Sequence, residues 1–549
     1  NADDRDKRRE LKDSIDRIRE RIKGIYVDPL SEEKKKLRNM QKELDDLNTQ
    51  ISSFEDEKLE EKKEKLEKKI DKLGQKINQQ EKENELIYRD AFEWRFEFPE
   101  VLDEEGNFVG FDVVIGNPPY IGFQELHNKE YYNPNYKVAT GKYDIYVLFI
   151  ELLTKISQGK SHNCLILPHK YLVADFGSGI RQLLSKLKFT NTVIHFGDEM
   201  VFEDATTYTC LTFFSFGNKE INYARVSPKE LQLNNKFSFI SIKYELLDGK
   251  SWILTSPKVS SILNKITNSG ASVTKIFKGI YQGIVSGDND AFYLYNCIEK
   301  DDGHLYGYSK LLKTKIKIER EICKPLLNGK NMDKWSNEFD MTYIIYPYYY
   351  QEGKTQLYSE KKIQDSFPLL YTYFKNNKER LSKRGSIKMK YKNWFALWNP
   401  RDIANMTVPK IMTPDVCFGT KMSIDANGTY FHNDTSYSLI KLDNIEVDYS
   451  FLLGVLNSTL IWFFLTQTGN VIRGGYFRFK TNYLEPISIP IHNKKVAIKV
   501  SQLVDQILTA KKDNPKADTS ALEREIDELV YKLYGLTEEE IRIVEGSVG

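Results

Sequence analysis

The stretch FDVVIGNPPY, residues 111–120, joins an apolar run to an asparagine, two prolines and an aromatic ring. Residues 113–115 are consecutive and β-branched, which is typical of a parallel strand covered on both faces. Because the prolines lack backbone N–H groups and fix φ, the strand should end at Asn117. The sequence therefore predicts a stiff loop at the carboxyl end of a central strand, where open α/β sheets bind ligands.

Asn117, Pro118 and Tyr120 suit methyl transfer to the exocyclic amine of a nucleobase. Such an amine is a poor nucleophile because its lone pair is delocalised into the ring. Acceptors on both N–H bonds, the Asn117 side-chain oxygen and the Pro118 carbonyl, would free the lone pair, and the prolines fix their positions in advance. A base in a duplex must be flipped out, and the Tyr120 ring offers a stacking surface. The alternative is a proline-terminated strand with Tyr120 in the core.

Composition sets the broad class. The chain has 549 residues, with 80 Lys and Arg against 78 Asp and Glu, so net charge neither requires nor excludes a nucleic-acid partner. The five cysteines are scattered, and the sequence has no C-x-x-C or Cys/His cluster, so we expect no disulfide framework and no metal site. The apolar run 451–465 is shorter than the roughly 20 residues of a membrane span and predicts a buried helix. We expect a cytoplasmic, prokaryotic protein without a membrane partner.

Residues 1–88 predict a charged helical or coiled-coil arm. Apolar residues recur at three- and four-residue steps, which places each series on one stripe of a helix. The three series are Leu11, Ile15, Ile18, Ile22 and Ile25; Leu37, Met40, Leu44, Leu47 and Ile51; and Leu66, Ile70, Leu73 and Ile77. Interleaved acidic residues favour a solvated arm over a nucleic-acid contact.

The remainder divides into three parts. Residues 89–250 alternate strand and helix, which predicts a mainly parallel sheet. Residues 251–490 are rich in aromatic and turn residues, with a tight turn at residues 286–288, and predict a separate α+β domain. Residues 491–549 predict closing amphipathic helices. The predicted strands are 112–116, 163–172, 191–197 and 206–216, and the predicted helices are 143–156 and 179–187.

Taken in order, several motifs resemble γ-type N6-adenine DNA methyltransferases of the type IIG (Eco57I-like) restriction-modification and phage-defence family. FEWRFEFPEVL, GFDVVIGNPPYIG, GKYDIYVLFIELL, LILPHKYL and VIHFGDEMVFEDATTYTCLTFF resemble its catalytic region. GIVSGDNDAF, KPLLNGKNMDKW, LLGVLNSTL and IDELVYKLYGLTEEEI resemble a TaqI-like C-terminal target-recognition domain. The resemblance implies an α/β fold with a partial Rossmann-like sheet, S-adenosylmethionine as methyl donor and adenine in double-stranded DNA as acceptor.

The resemblance also assigns roles to residues. It makes Asn117 and Pro118 the amine acceptors and Tyr120 the stacking ring, and it places Asn117 and Pro119 beside the methionine end of the cofactor. The family supplies a second aromatic against the flipped base where this chain has Phe202. Tyr208 is the alternative, and a core role for Phe202 stays open.

The chain departs from the family before the catalytic strand. The family places a strand and a glycine-rich turn for the cofactor there, where this chain has the charged arm. ADFGSGIRQLL, residues 174–184, is similar to such a turn, but it opens a helix that Asp175 and Ser178 are placed to cap. We therefore expect an upstream part of the same polypeptide to carry the cofactor loop. Any nuclease, with its Mg²⁺ site, should lie there too.

Two basic stretches are candidate DNA contacts. Arg473, Tyr476, Arg478 and Lys480 lie among glycines and aromatics, which permits close approach, phosphate or guanine contacts and stacking. Residues 381–401 are the second candidate and include Arg384, Lys388, Lys390 and Arg401. An ordinary exposed basic loop is the alternative for each.

Two other functions remain open at this point. The chain could be a DNA-recognition fragment that lacks the cofactor-binding half and is inactive alone. An amide or RNA methyltransferase also uses Asn-Pro-Pro-Tyr, but the long aromatic region after Trp252 argues against a substrate that needs no reader.

Overall fold

The computed structural model describes residues 14, 17, 31–51, 57–88, 94–197, 199–202, 207–233, 237–247, 249, 251–385, 391–469, 471–472, 475–479 and 481–548. Contacts divide the chain into two compact units, residues 1–111 and 112–549. The predicted mixed α/β fold is confirmed.

The helices are numbered in chain order over these residues. They are α1 Ser31–Ile51, α2 Glu57–Tyr88, α3 Trp94–Glu97, α4 Lys129–Asn135, α5 Tyr146–Ile156, α6 Ser178–Leu187, α7 Pro228–Leu233, α8 Pro257–Asn268, α9 Val273–Ile276, α10 Asn289–Phe292, α11 Glu360–Ser366, α12 Pro368–Asn376, α13 Lys378–Ser382, α14 Ile403–Met406, α15 Tyr449–Leu456, α16 Thr459–Thr468, α17 Thr481–Leu484, α18 Lys494–Asp513, α19 Ser520–Leu533 and α20 Glu538–Val548.

The strands are numbered in the same way. They are β1 Phe111–Gly116, β2 Ser157–Pro168, β3 Thr190–His195, β4 Thr209–Phe214, β5 Glu220–Arg225, β6 Ile240–Lys243, β7 Ala271–Ser272, β8 Phe277–Gln282, β9 Tyr293–Lys300, β10 His304–Ser309, β11 Thr314–Glu319, β12 Cys323–Leu327, β13 Met332–Asp333, β14 Ser336–Asn337, β15 Tyr343–Ile345, β16 Tyr348–Gln351, β17 Lys354–Leu357, β18 Lys410–Pro414, β19 Val416–Cys417, β20 Ser423–Asp425, β21 Phe431–His432, β22 Ser436–Lys441, β23 Val471–Ile472, β24 Tyr476–Arg478 and β25 Ser488–Ile489.

The N-terminal unit contains a helical hairpin. Helices α1 and α2 pack against each other, and Leu47, Leu66 and Ile77 are buried, as the second and third apolar series predict. The first series, residues 11–25, lies outside the described residues. A buried apolar stripe on otherwise charged helices is what stabilises such a hairpin.

A six-stranded sheet carries the Asn-Pro-Pro-Tyr loop, residues 117–120, and has the order β1-β2-β4-β3-β5-β6. The prediction of a mainly parallel sheet is wrong. Strands β3 and β5 are parallel, but β4 lies between β2 and β3 and runs against both, and β6 runs against β5. The predicted strand 163–172 also differs, because β2 begins at Ser157 and a 3₁₀ helix occupies His169–Leu172.

The prediction that residues 113–115 form a central, doubly covered strand is also wrong. Strand β1 lies at the edge of this sheet. Val113 and Ile115 are 58% and 78% exposed, whereas Val114 packs against the core of the sheet. One face of this apolar strand therefore has no cover from the described residues.

Residues beyond β6 form smaller sheets. One has the order β11-β10-β9-β15-β12-β21, another β20-β18-β22-β8, and a third β19-β24-β23. Strand β7, near the start of this region, pairs with β25 near its end, which brings residues 271–272 and 488–489 together. Gly287 has a φ of 77° and Asp288 caps α10, in agreement with the predicted turn at 286–288.

The predicted buried helix at 451–465 is two buried helices, α15 and α16. They break at Asn457, whose side chain bonds both backbone groups of Met422, and Ser458 caps the second helix. Among the described residues no single helix is long and apolar enough to cross a membrane, and α15 and α16 meet that criterion only as a pair bent by 54°. The predicted closing helices are confirmed as α18, α19 and α20.

Candidate active site

A buried asparagine holds the strand that leads to the Asn-Pro-Pro-Tyr loop. Asn163, on β2, is 2% exposed and accepts a hydrogen bond from the Val114 backbone N–H at 3.1 Å. Its amide nitrogen donates to the Ser161 hydroxyl and the Phe214 carbonyl, so both ends of the amide are used. This side chain ties the edge strand to the sheet three residues before Asn117. Sequence reasoning missed it because one polar residue beside an apolar run looks like a strand end.

The predicted groups of the loop differ in solvent exposure. Asn117 and Pro119 are exposed, and Pro118 is buried. Within the described part of the chain the Asn117 side chain makes no hydrogen bond, so its amide is available to an external partner. The arrangement combines a free amide with a fixed backbone.

Tyr120 anchors the far end of the loop. Its hydroxyl donates to the Ile166 carbonyl at 3.0 Å, and its ring meets the buried Tyr146 ring edge-on, with centroids 6.4 Å apart. Burial, with the nearby Cys210, raises the pKa of Tyr120 to about 12. The phenol is therefore neutral at physiological pH. The ring is half-buried, so part of it packs in the core, as the alternative predicts, and its stacking on a base stays a prediction.

Phe202 and Tyr208 differ in burial. Phe202 is half-buried in a bend after β3, and Tyr208 is 8% exposed with its ring parallel to that of His169 at 6.1 Å. The half-buried ring is the better placed to meet a ligand. Its predicted contact with the flipped base stays a prediction.

The glycine-containing segment 174–184 is a helix start, as expected. Arg181 is buried and donates from Nη1 to the carbonyls of Tyr171 and Ala174, at 2.6 and 2.8 Å. A Cβ at Gly177 would lie 2.3 Å from the Tyr171 carbonyl oxygen, so the glycine is required for packing. The expected capping by Asp175 and Ser178 is wrong, because the N-cap residue of helix α6 is Gly177 and no side chain caps the helix.

Arg384, a predicted DNA contact, bonds within the protein. Its guanidinium donates to the carbonyls of Leu381, Ser286, Trp394 and Ala396, at 2.8 to 3.3 Å. It also lies over the rings of Phe292 and Tyr391. These contacts give Arg384 a structural role in closing the segment 381–396.

Arg401 and Arg478 are also engaged. Arg401 donates to the Gly283 carbonyl at 2.9 Å and to Gln282 at 3.0 Å. Arg478 pairs with Asp415 at 2.7 Å. These contacts order the two arginines. Contact with DNA stays a prediction for both.

Tyr476 is the candidate that faces solvent. It is 46% exposed, and its ring lies 6.4 Å from that of Phe418, which is 60% exposed. Sequence reasoning missed Phe418 because it lies 58 positions away and reaches Tyr476 only through the β19–β24 pairing. Arg473 and Lys480, with Lys388 and Lys390, lie outside the described residues. Among the described residues there is no group of three or more His, Cys, Asp or Glu side chains arranged to hold a metal ion.

Comparison with known proteins places two family models on this chain. The Eco57I restriction-modification methylase model matches residues 20–202, which include the loop 117–120 and Phe202. The TaqI-like C-terminal specificity domain model matches residues 324–491, which include the sheet that carries Tyr476. The second model includes the motifs KPLLNGKNMDKW and LLGVLNSTL, whereas GIVSGDNDAF and IDELVYKLYGLTEEEI lie outside it.

Similar proteins include restriction-modification enzymes. The chain is 26% identical over 407 residues to the type II restriction enzyme and methyltransferase RM.Eco57I of Escherichia coli, covering 69% of this chain but 40% of that relative. It is 22% identical over 466 residues to the type II methyltransferase M.BstVI of Geobacillus stearothermophilus, covering 80% and 76%.

The fold also resembles that of the type IIL restriction-modification enzyme MmeI, with a TM-score of 0.53 and 12% identity. The match covers 82% of this chain and 57% of that one. The chain carries an Eco57I-like methylase domain followed by a TaqI-like C-terminal specificity domain, and its homologues are type II restriction-modification methyltransferases.

Proposed function

We propose that this chain carries the catalytic loop of a site-specific DNA methyltransferase that acts on N6 of adenine, within a type IIG restriction-modification enzyme. The observation that carries this proposal is the exposed, unbonded Asn117 amide at the end of β1, followed by Pro118. A surface asparagine in a proline-fixed loop has little structural purpose. It is well suited to accept a hydrogen bond from an amino group that enters from outside.

The chemistry proposed for the loop needs no strong base. S-adenosylmethionine, when bound, would supply an electrophilic methyl group through cleavage of its S–CH3 bond, with S-adenosylhomocysteine as the leaving group. The Asn117 oxygen and the Pro118 carbonyl accept hydrogen bonds from the two N–H groups of the adenine amine. These hydrogen bonds favour a tetrahedral nitrogen, whose lone pair is no longer delocalised into the ring. The amine loses one proton as it gains the methyl group, and water beyond these acceptors takes that proton. Tyr120 and Phe202 hold the extruded base, and the hydrogen bond from Tyr120 to Ile166 keeps its ring in place.

The residues present fit one wall of a cofactor site. Asn117 and Pro119 are exposed and can border the methionine end. Segment 174–184 does not fit as the cofactor turn, because it begins a helix whose Arg181 donates to the carbonyls of Tyr171 and Ala174. The exposed Val113 and Ile115 on the edge strand suit cover by further sheet structure. We propose that an upstream part of the same polypeptide supplies it, with the glycine-rich turn and any Mg²⁺-dependent nuclease.

DNA is the proposed partner of the specificity domain. The exposed Tyr476 lies on β24 and the exposed Phe418 directly follows β19, the strand paired with it, and aromatic rings at this position can stack on bases or wedge between them. Of the predicted contacts, Tyr476 keeps the strongest support. Arg384 has the least support, because its N–H groups already donate to carbonyls within the protein.

The test compares three methyl acceptors. The full-length gene product is incubated with S-adenosylmethionine and duplex DNA, RNA or peptide, and products are identified by mass spectrometry. We expect N6-methyladenine in DNA at one sequence context. Methylated cytosine, RNA or peptide amide, in place of N6-methyladenine, contradicts the proposal.

A second candidate is a DNA-recognition fragment that is inactive alone. The uncovered edge strand favours it for the 549 residues by themselves. Calorimetry with S-adenosylmethionine distinguishes the two candidates. Retained DNA binding without heat of cofactor binding supports the fragment, whereas saturable cofactor binding by these 549 residues supports a self-sufficient enzyme.

A further inference from the structure

A basic hairpin lies, in sequence, between the two regions that the family models match. Residues 303–318 contain Lys310, Lys313, Lys315 and Lys317 but no Asp or Glu, in a chain with 80 Lys and Arg against 78 Asp and Glu. The segment comprises β10, the turn after it and β11, and the two strands pair antiparallel. The methylase model ends at residue 202 and the specificity model begins at residue 324, so neither model gives this hairpin a role.

The lysines at the turn of the hairpin face solvent. The side chains of Lys313 and Lys315 are exposed and, within the described part of the chain, make no hydrogen bond and no ion pair. Lys310 is also exposed, and its ammonium lies 4.3 Å from the centroid of the Tyr295 ring, with no ion-pair partner among the described residues. These three residues are the turn lysines, and two of them carry a charge that the described structure leaves unpaired.

The acidic side chains that flank or contact the hairpin have partners of their own. Asp302, directly before the hairpin, pairs with Lys317 at 3.1 Å. Asp290, whose carbonyl accepts a backbone hydrogen bond from the turn at 3.3 Å, has its carboxylate 3.5 Å from Arg380. Glu319, directly after the hairpin, accepts two N–H groups at the start of α12, at 2.7 and 3.0 Å. These carboxylates therefore do not neutralise the turn lysines.

The turn that carries the lysines is fixed to the domain. Leu305 on β10 and Ile318 on β11 are fully buried, which anchors both strands in the core. The buried Ser309 hydroxyl accepts a hydrogen bond from the Leu312 N–H at 3.3 Å and lies 3.4 Å from the Tyr373 hydroxyl. Because the backbone of the turn is held in this way, the positions of the lysine side chains are set before a partner binds.

The surface around the turn lysines suits a polyanion. Tyr308 is 36% exposed and lies opposite Lys315 in the register of the hairpin, so a hydroxyl donor stands beside an ammonium group. Lysine and tyrosine are both side chains that contact phosphates in protein–DNA complexes. Double-stranded DNA carries one negative charge per about 1.7 Å of its axis, so one duplex can meet all the turn lysines together.

We propose that the basic hairpin contacts the phosphate backbone of double-stranded DNA. The contact does not depend on base sequence, because ammonium and hydroxyl groups bind phosphates without reading a base edge. The proposal rests on the proposed function in that DNA is the partner, and it adds a surface separate from the Asn117 loop and from Tyr476 with Phe418. The hairpin increases affinity for DNA and does not choose the recognition sequence.

The test is a salt titration of DNA binding by the full-length gene product, followed by fluorescence anisotropy. The probes are two fluorescein-labelled DNA duplexes of unrelated sequence, without S-adenosylmethionine and Mg²⁺, so that neither methylation nor cleavage takes place. The double variant Lys313→Gln with Lys315→Gln removes two charges from the turn. Lys512→Gln with Lys516→Gln removes two charges from exposed lysines in and after α18 and is the matched control. Thermal melting establishes that each variant is folded.

We expect the Lys313 and Lys315 double variant to bind both duplexes at least about tenfold more weakly at about 0.1 M salt. The slope of log affinity against log salt concentration should fall by about 2, since each phosphate contact contributes about 0.9. The control should change neither quantity. An unchanged slope in the folded double variant, a loss confined to one of the two sequences, or no duplex binding by the unaltered protein overturns the proposal.

The alternative partner is an acidic polypeptide. Labelled polyglutamate that binds as tightly as the duplexes, and with the same dependence on Lys313 and Lys315, identifies that partner and overturns the proposal. Because the readout is binding, the two proposals fail separately. DNA binding without formation of N6-methyladenine contradicts the proposed function alone, whereas methylation with an unchanged salt slope in the double variant contradicts the role of the hairpin alone.

Discussion

At the scale of single residues, Asn117 and Tyr120 make different contributions to one loop. Asn117 is exposed and unbonded within the described structure, whereas Tyr120 is fixed through its hydroxyl and its ring. A loop that binds a substrate needs both properties, since free groups must be held on a rigid frame. The prolines between them provide that frame.

Lys410 in the specificity domain is a fully buried charge. Its ammonium donates to Asp425 at 2.7 Å and to the Met406 carbonyl at 2.8 Å, and both partners of the ion pair are nearly inaccessible. We expect Asp425→Ala to destabilise this domain by roughly 3–5 kcal/mol, because it leaves an uncompensated buried charge. Thermal and urea denaturation measure the loss.

The control for Lys410 is an exposed ion pair. Lys494 and Glu446 lie 2.7 Å apart, with side chains 77% and 76% exposed. Glu446→Gln should leave the melting temperature unchanged within error. Equal effects of Glu446→Gln and Asp425→Ala would contradict the assignment of the buried pair.

His169 predicts a pH dependence of stability. Burial, with the positive charges of Lys170 and Arg225, lowers its pKa from 6.5 to about 4 in the folded protein. Between these values the unfolded chain binds a proton that the folded chain does not, so stability falls as pH drops from about 6.5 toward 4, by at most about 3 kcal/mol. His169→Phe keeps a stacking ring and should flatten this part of the stability curve in urea denaturation. The exposed His127→Phe should not, and an unchanged slope in His169→Phe would show that other groups dominate.

At the scale of elements, strand β1 leads into the loop 117–120 and is left uncovered on one face by the described residues. It is the edge of its sheet, and its outer residues Val113 and Ile115 are exposed. An apolar edge strand is prone to pair with other chains unless it is covered. Besides its pairing with β2, this strand is held by the hydrogen bond from the Val114 N–H to the side chain of Asn163.

Asn163 should act as a positioning residue for the catalytic loop. Asn163→Ala removes the bond to Val114 and leaves the Phe214 carbonyl with one partner fewer. We expect a loss of about 1–3 kcal/mol in stability and a lower kcat with unchanged DNA affinity. Single-turnover kinetics and DNA-binding titrations separate the two effects. Asn135→Ala, on an exposed helical asparagine, serves as control, and an unaltered kcat in folded Asn163→Ala would refute the role.

The α1–α2 hairpin should be stabilised by its apolar stripe. Leu47 and Leu66 are buried, although most of the surrounding side chains are charged. Leu66→Ala should destabilise the hairpin by about 2 kcal/mol or more. Faster proteolysis within residues 31–88, at an unchanged rate within residues 112–549, is the expected result. Equal acceleration in both units would contradict an independently packed arm.

At the scale of the whole molecule, the sequence predicts classes of structure better than pairings. The α1–α2 helices, the α/β region and the closing helices follow from periodicity and composition. The position of β4 between β2 and β3 does not, because strand order depends on long-range pairing that local pattern does not encode. The edge position of β1 was missed for the same reason. A run of β-branched residues indicates a strand covered on both faces only when that strand also has a second neighbouring strand, and the local sequence does not show whether it has one.

The candidate site shows the same division. Asn117 and its prolines form a local motif and are recognisable without a structure. Asn163 and Phe418 gain their contacts only through folding, so no spacing rule finds them. Conversely, Arg384 looks like a DNA contact in sequence because its four carbonyl partners are invisible there.

The most direct test of the account is methylation by the full-length gene product with Asn117→Ala, measured as N6-methyladenine formed per bound DNA under single-turnover conditions. Removing one preorganised hydrogen-bonding group from a reacting centre typically lowers the rate roughly 100- to 1,000-fold. We predict a loss of that size with DNA binding and melting temperature unchanged, because the Asn117 side chain makes no hydrogen bond within the described structure. An undiminished rate of methylation would contradict the central claim.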